Sequence, residues 1–348
     1  MSVNKYLSWH ASEWRRLWDT PAGPPHAILL AGPGGVGKSL FAAAMAQRIL
    51  CEAPRNVADP ACGECTSCRL YSSGNHPDFR HVIPEAEAEE AGSEASDAAD
   101  KKKLSSQILI GQIRALEDFV YIGGHRSNRR VILIEPAEAM NISAENALLK
   151  MLEEPTLGIC FLLVSNRWRK LLPTIRSRCR TLMFGRPDMP EAKQWLADQG
   201  GEKALPLLPL TGGAPIAALE EFEKGRMEAF NEVASSLLDE TGDFLALAGR
   251  WESQVKKDGG LKMEELVAII QKGLFDLAFL KTTGRLRFFA GRERQAEAVA
   301  QHADTANILS YYNELLRARA LSSHPLNPRL FLDDIAARYL RAIAPARK

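Results

Sequence analysis

Short apolar runs alternate with helix-period segments through the first half of the chain. Ala27-Ile28-Leu29-Leu30-Ala31, Val131-Ile132-Leu133-Ile134 and Ile159-Cys160-Phe161-Leu162-Leu163-Val164 are short and uniformly apolar. Runs of that kind read as strands of a parallel sheet buried on both faces. Phe79-Arg80-His81-Val82-Ile83 and Thr181-Leu182-Met183-Phe184 predict two more strands. Trp9, Glu13, Trp14, Leu17 and Trp18 recur at helical spacing until Pro21-Ala22-Gly23-Pro24-Pro25 breaks the pattern. A second helix runs from Ser39 to about Leu50, and Ile108, Ile113, Leu116 and Val120 keep a helical period that Gly111 interrupts. Ala144, Ala147, Leu148, Met151 and Leu152 share one helix face, with Glu145 in the first turn and Pro155 as the stop.

The second half changes character. Pro190 to Gln199 predicts a helix, Gly212-Gly213 a turn, and from about Glu220 onward the chain reads as mostly helical. Leu261–Leu280 and Ile308–Leu321 carry apolar periodicity, and Leu326-Asn327-Pro328 opens a last helix. Between Glu85 and Lys103 lies an acidic, alanine-rich stretch without a periodic apolar face, which predicts a solvated, mobile insertion.

Composition narrows this picture in two places. The 348 residues carry 44 Lys plus Arg against 43 Asp plus Glu, a net charge of +1 that argues against coating DNA by charge alone. The N-terminus lacks a signal-peptide pattern, and no apolar run is long enough to span a bilayer. The expectation is a cytoplasmic protein with reduced cysteines and no membrane partner.

The turn after the first strand, Gly32-Pro33-Gly34-Gly35-Val36-Gly37-Lys38-Ser39, fits G-x-x-x-x-G-K-[ST] at every fixed position. Gly32, Gly34, Gly35 and Gly37 let successive N–H groups face one hollow, Lys38 offers charge to the outer phosphates, and Ser39 offers a hydroxyl to magnesium. The pattern predicts ATP or ADP with Mg2+, or a structural turn that keeps the shape without the nucleotide. Cys51, Cys62, Cys65 and Cys68 follow in the spacing C-x10-C-x2-C-x2-C. A disulfide-exchange site needs only one C-x-x-C pair, whereas four thiolates close a tetrahedron, so the spacing points to structural zinc. Cys160 and Cys179 fall outside this spacing and read as small buried apolar residues.

The strand tips carry the remaining candidates. The strand at Val131 ends in Glu135-Pro136, and the carboxylate is placed to bind magnesium weakly. The next position, where a second acid would align the attacking water, is a proline, and Glu138 lies three residues on. Asn166, after the strand at Ile159, either meets the terminal phosphate or simply ends the strand. Arg176, Arg178 and Arg180 are either a basic surface turn or, beside a phosphate loop, an arginine finger.

Together, Gly32 to Ser39, the four-cysteine module, Asn75-His76-Pro77-Asp78, Asn146-Ala147-Leu148-Leu149-Lys150-Met151-Leu152-Glu153-Glu154-Pro155 and Ser177-Arg178-Cys179 resemble the bacterial clamp-loader ATPase family of DNA polymerase III. The resemblance implies an AAA+ α/β P-loop domain with a parallel sheet over residues 1–184, holding a zinc module at 51–68 and the acidic insertion at 85–103. It further implies a small helical lid at 185–225 and an all-α collar at 226–348. It implies hetero-oligomeric partners, the tau/gamma and delta clamp-loader subunits, with the sliding clamp and primed DNA reached through the complex. The Ser177-Arg178-Cys179 match favours Arg178 as the finger presented in trans. Two departures, Pro136 at the strand tip and Ile216 where the motor subunit carries an arginine, imply a non-motor scaffold with little or no ATPase or polymerase activity of its own. The alternatives are an autonomous ATP-hydrolysing motor of the tau/gamma type and a zinc-dependent nucleic-acid-binding module.

Overall fold

A computed structural model of the chain describes residues 6–18, 23–92, 104–121, 129–239, 242–257, 259–322 and 327–345. Two units, Met1–Pro187 and Asp188–Lys348, each hold their own core.

The first unit is built on five parallel strands in the order β2-β3-β4-β1-β5. They are β1 Ala27–Ala31, β2 Phe79–Val82, β3 Arg130–Ile134, β4 Ile159–Ser165 and β5 Arg180–Met183. All five predicted strands are present. The three central ones are buried at every position, which is why their sequences are continuous apolar runs rather than alternating ones. β2 and β5 lie at the sheet edges and read more polar because part of their surface meets solvent.

Helices before and between the strands are α1 Ala11–Trp18, α2 Lys38–Leu50, α3 Thr66–Ser72, α4 Glu85–Gly92, α5 Ile110–Arg114, α6 Glu117–Tyr121, α7 Ile142–Glu153 and α8 Pro173–Arg178. Leu29, Ile132, Ile134, Phe161 and Leu163 form one cluster with Leu148, Met151 and Leu152 of α7 and Ile113 of α5. Asn141 caps α7 by accepting the Ala144 N–H at 2.8 Å. Around Phe41 of α2, an aromatic group gathers Tyr6, His10, Trp14 and Phe184. His10 is buried there, and desolvation pushes its pKa down to about 4, so the ring is neutral near pH 7.

Two expectations need correction. The acidic stretch from Glu85 is not structureless. Its first eight residues form α4, joined to the chain beyond the insertion by Ala86 N–H donating to Ser105 O at 3.2 Å. Alanine and glutamate are good helix formers, and acids in the first turn suit the helix dipole, so no apolar stripe is required. The rest of that insertion, 93–103, lies outside the described residues. The single helix expected across Ile108–Val120 is instead the pair α5 and α6. Gln112 pins the first by accepting the Leu109 N–H at 3.0 Å and donating to Ile83 O at 2.8 Å. Arg130 stops the second by donating to Phe119 O and Val120 O at 2.6 and 2.8 Å.

Among the described residues the regular elements of the second unit are helices: α9 Met189–Asp198, α10 Leu207–Leu210, α11 Pro215–Glu223, α12 Met227–Leu237, α13 Phe244–Lys256, α14 Met263–Thr283, α15 Glu293–His302, α16 Thr305–Leu321 and α17 Pro328–Ile343. One apolar cluster runs from Ala192 to Ala342. Trp251 is fully buried in it and donates its indole N–H to Ser236 Oγ at 2.8 Å. No helix among the described residues is long and apolar enough to cross a membrane.

Trp14 is fully buried, stacks on Tyr6 at 4.6 Å and donates its indole N–H to Ala58 O at 2.7 Å. Trp14→Ala is expected to destabilise the first unit by about 3–5 kcal/mol, whereas Trp14→Phe, which loses mainly the hydrogen bond, should cost about 1 kcal/mol. Denaturant midpoints of the two variants check this.

Candidate nucleotide site and cysteine cluster

β1 delivers the chain into the loop at the C-terminal edge of the sheet, the edge where parallel α/β folds bind ligands. Gly35 and Gly37 have φ of 72° and 97°, values a side chain rarely tolerates. A Cβ at Gly32 would lie 2.4 Å from Phe184 O, so the loop also needs glycine where it passes the end of β5. Lys38 is the first residue of α2 and is almost fully buried. Its ammonium donates to Pro33 O at 2.5 Å and to Asn166 Oδ1 at 2.6 Å. Burial pushes its pKa down to about 8, against the opposing charges of Glu138 and Glu135.

The predicted strand-tip residues converge on this lysine. Glu135 lies at the end of β3, and its carboxylate accepts a hydrogen bond from the exposed Ser39 hydroxyl. Burial raises the Glu135 pKa, while the Ser39 bond and the Lys38 charge oppose the rise. A facing hydroxyl and carboxylate are the donor pair that a phosphate-bound magnesium takes from a P-loop protein, so Ser39 and Glu135 fit that ion. Pro136 leaves the adjacent position without an ionisable group. Glu138, in a single 3-10 turn at Ala137–Ala139, accepts the Asn166 N–H at 3.0 Å. Its other carboxylate oxygen is buried and has no partner among the described residues. The sequence flagged Glu138 only as a displaced acid; its bond to Asn166 depends on β3 and β4 being neighbours, which no local pattern encodes.

Arg178 is not in this pocket. Ile28 of β1 pairs with Arg180 of β5, so Arg178 stands beyond the N-terminal end of β1 while the phosphate loop leaves its C-terminal end. Five strand residues, about 16 Å, separate the two levels. Arg176 turns inward over the Trp168 ring, 5.4 Å from its centroid. Arg176 and Arg178 are both half-buried, and Arg180 is exposed.

The four predicted cysteines come together. The Sγ atoms of Cys51, Cys62, Cys65 and Cys68 all lie within 4.8 Å of one another. Those of Cys51 and Cys62 are 3.5 Å apart and those of Cys62 and Cys68 3.9 Å. Four sulfurs at 2.3 Å from one zinc would sit about 3.8 Å apart, so the donor set and its spacing fit zinc. Cys51 caps the C-terminus of α2, and Cys65 caps the N-terminus of α3, accepting the Cys68 N–H at 3.4 Å. Burial raises Cys51 and Cys68; at Cys62 the backbone N–H groups of Cys65 and Glu64 outweigh burial and bring the thiol to about 6.

Sequence reasoning missed the brackets around the cluster. Arg48 of α2 donates to Asp59 O, Asn56 O and Val57 O at 2.8, 3.2 and 2.9 Å, which fastens the loop between the first two cysteines. Its guanidinium also lies over the Trp18 ring at 4.6 Å. His76, expected as a packing or turn residue, is buried; its Nε2 lies 2.6 Å from Ser67 Oγ, and its Nδ1 accepts the Asp78 N–H at 3.0 Å. Cys160 and Cys179 are buried as expected, and desolvation pushes both thiols up to about 12.

With this geometry in place, the relatives decide the family. Residues 22–188 match the sequence model of a family described as DNA polymerase III, delta subunit. The DNA polymerase III subunit delta′ of Pseudomonas aeruginosa is 37% identical over 252 residues, 70% of this chain and 71% of that protein. The chain belongs to the DNA polymerase III subunit delta′ family. The delta′ subunit of Escherichia coli is 29% identical over 61% of this chain and 59% of its own length. Among solved structures, a DNA polymerase III gamma subunit-related protein from Thermotoga maritima aligns over 96% of this chain and 99% of its own, with a TM-score of 0.43 at 19% identity. The clamp-loader resemblance carried by the motifs from Gly32 to Cys179 agrees with this family.

Two outcomes follow from the site as built. Purified protein is expected to carry one zinc per chain, and Cys65→Ser to lose it with a lowered Tm, read by metal analysis and thermal denaturation. A phosphate anion favours the charged form of Lys38, which loses its proton near pH 8 in the free protein. Affinity for pyrophosphate or ADP should therefore weaken about tenfold per pH unit above 8, measured by calorimetric titration at pH 7, 8 and 9.

Proposed function

We propose that this delta′-family chain is a non-motor scaffold of a clamp loader, with tau/gamma and delta subunits as partners. In this reading it presents Arg178 to the ATP of a neighbouring subunit while the complex opens the sliding clamp and places it on primed DNA during DNA replication. Residues 185–225 serve as the lid and 226–348 as the collar that joins the ring.

The observation that carries the reading is the division of parts between the two ends of one sheet. Gly32 to Lys38, Ser39, Glu135 and Asn166 can hold ATP or ADP with Mg2+ at the C-terminal edge, where the backbone N–H groups and Lys38 would cradle the phosphates. A guanidinium that cannot reach this pocket stands about 16 Å away at the opposite edge. A finger so placed serves another subunit's phosphate or none. The position beside Glu135 is Pro136, which cannot take a proton from water, and Ile216 in α11 offers no charge to a phosphate. The four cysteines hold structural zinc with no open coordination position.

Glu138 supports a second reading, that of an autonomous motor. Its carboxylate is tied to Asn166 and has one oxygen without a partner among the described residues, the arrangement a water-aligning base would need.

One experiment separates the two. The chain alone should release almost no phosphate from ATP. In the complex reconstituted with its motor subunits, clamp and primed DNA, Arg178→Ala should lower turnover at the adjoining site on the order of 10³-fold. Brisk hydrolysis by the lone chain, abolished by Glu138→Gln, would favour the motor instead.

A further inference from the structure

The stretch Asn146 to Pro155 is one of the motifs that carry the family resemblance, yet neither the nucleotide pocket nor the cysteine cluster uses it. In the structure it forms the greater part of α7, and the two ends of α7 grip α8, the six-residue helix that carries Arg178. At the first end, the buried Glu145 accepts the N–H of Leu172, the N-cap residue of α8, at 2.8 Å. At the other end, Glu153 Oε1 meets Arg178 Nη2 at 2.5 Å. The second terminal nitrogen of Arg178 donates to Thr174 O at 3.1 Å, one turn back within α8. The guanidinium is thus held on two sides and remains 34% exposed.

An acid in the last turn of a helix opposes the helix dipole, so Glu153 does not help α7 itself. Its worth lies in what it faces. A free arginine at the end of a short helix samples many rotamers, and fixing it during the reaction costs entropy. Two hydrogen bonds fixed in advance leave the planar fork oriented, with its remaining N–H groups open to an incoming anion.

We infer that Glu153 is a positioning residue: it aims Arg178 at the phosphate of a nucleotide bound by the adjoining subunit, and α7 is the splint that fixes finger to sheet. The inference rests on the proposed finger role of Arg178, and its test keeps the two apart.

The test compares Arg178→Ala, Glu153→Ala, Glu153→Gln and the Arg178→Ala/Glu153→Ala double variant in the reconstituted complex, with clamp and primed DNA. Subunit stoichiometry is checked by native mass spectrometry. Glu153→Ala should lower kcat about tenfold with KM for ATP unchanged. Glu153→Gln, which keeps an acceptor oxygen, should recover most of that loss. The double variant should be no slower than Arg178→Ala, because a residue that acts only through Arg178 has nothing left to aim. Glu153→Ala turnover at or above wild type, with Arg178→Ala slow, would overturn the positioning role and leave the finger standing. Failure of Glu153→Ala to assemble would also overturn it, by assigning Glu153 to the subunit contact. An Arg178→Ala complex of full activity would remove both.

Discussion

A lysine ammonium drawn out of water at the start of a helix is an expensive arrangement, and the first unit is organised to support it. Lys38 sits where the dipole of α2 repels a cation, and burial lowers its pKa to about 8. Its compensation comes from Pro33 O in the loop and, from far along the chain, from Asn166 after β4 and the Glu135 and Glu138 charges after β3. These meet only because β1 lies beside β4 and β4 beside β3. An anion seated in the loop would meet the α2 dipole and the Lys38 charge together, and the same burial that makes the free lysine costly would strengthen its attraction to a phosphate.

The parallel sheet also explains why the glycine-rich loop and Arg178 lie apart in one chain. Every parallel strand ends on the same edge, so the residues after β1, β3 and β4 converge on one pocket. Residues before a strand go to the other edge. Arg178 precedes β5, and no rotamer of a side chain crosses the length of a strand. A chain using its own arginine on its own nucleotide would need that residue elsewhere; placed here, Arg178 is separated from the loop of its own chain by the length of a strand.

Much of this was legible in the residues. Glycines at Gly32, Gly35 and Gly37 announced the loop, continuous apolar runs announced the buried strands, and the two-residue gaps from Cys62 to Cys68 announced four sulfurs on one centre. Local spacing encodes all of these. What stayed hidden depends on tertiary neighbours. Arg48 looks like a solvated helix residue until the Asn56–Asp59 carbonyls fold over it. Glu138 looks like a turn residue until β4 brings the Asn166 N–H to it. The acidic stretch after Pro84 was misread because it lacks an apolar face, although helix propensity alone is enough to form α4.

The cysteine cluster and the phosphate loop are the two ends of one object. α2 begins at Lys38 and is C-capped by Cys51, thirteen residues and about 20 Å apart. A helix transmits rotation along its axis, so fixing Cys51 fixes the direction in which Lys38 leaves the loop. The N-terminal segment reinforces both ends, since Trp9 donates to Val36 O in the loop and Trp14 to Ala58 O in the cysteine segment. Between those ends α2 buries small side chains, Ala42, Ala44 and Ala46, together with the larger Phe41, Met45 and Leu50. The cysteine cap at one end and the two indole hydrogen bonds add to that packing, so the cysteine segment and the phosphate loop are fixed to one helix although they share no chemistry.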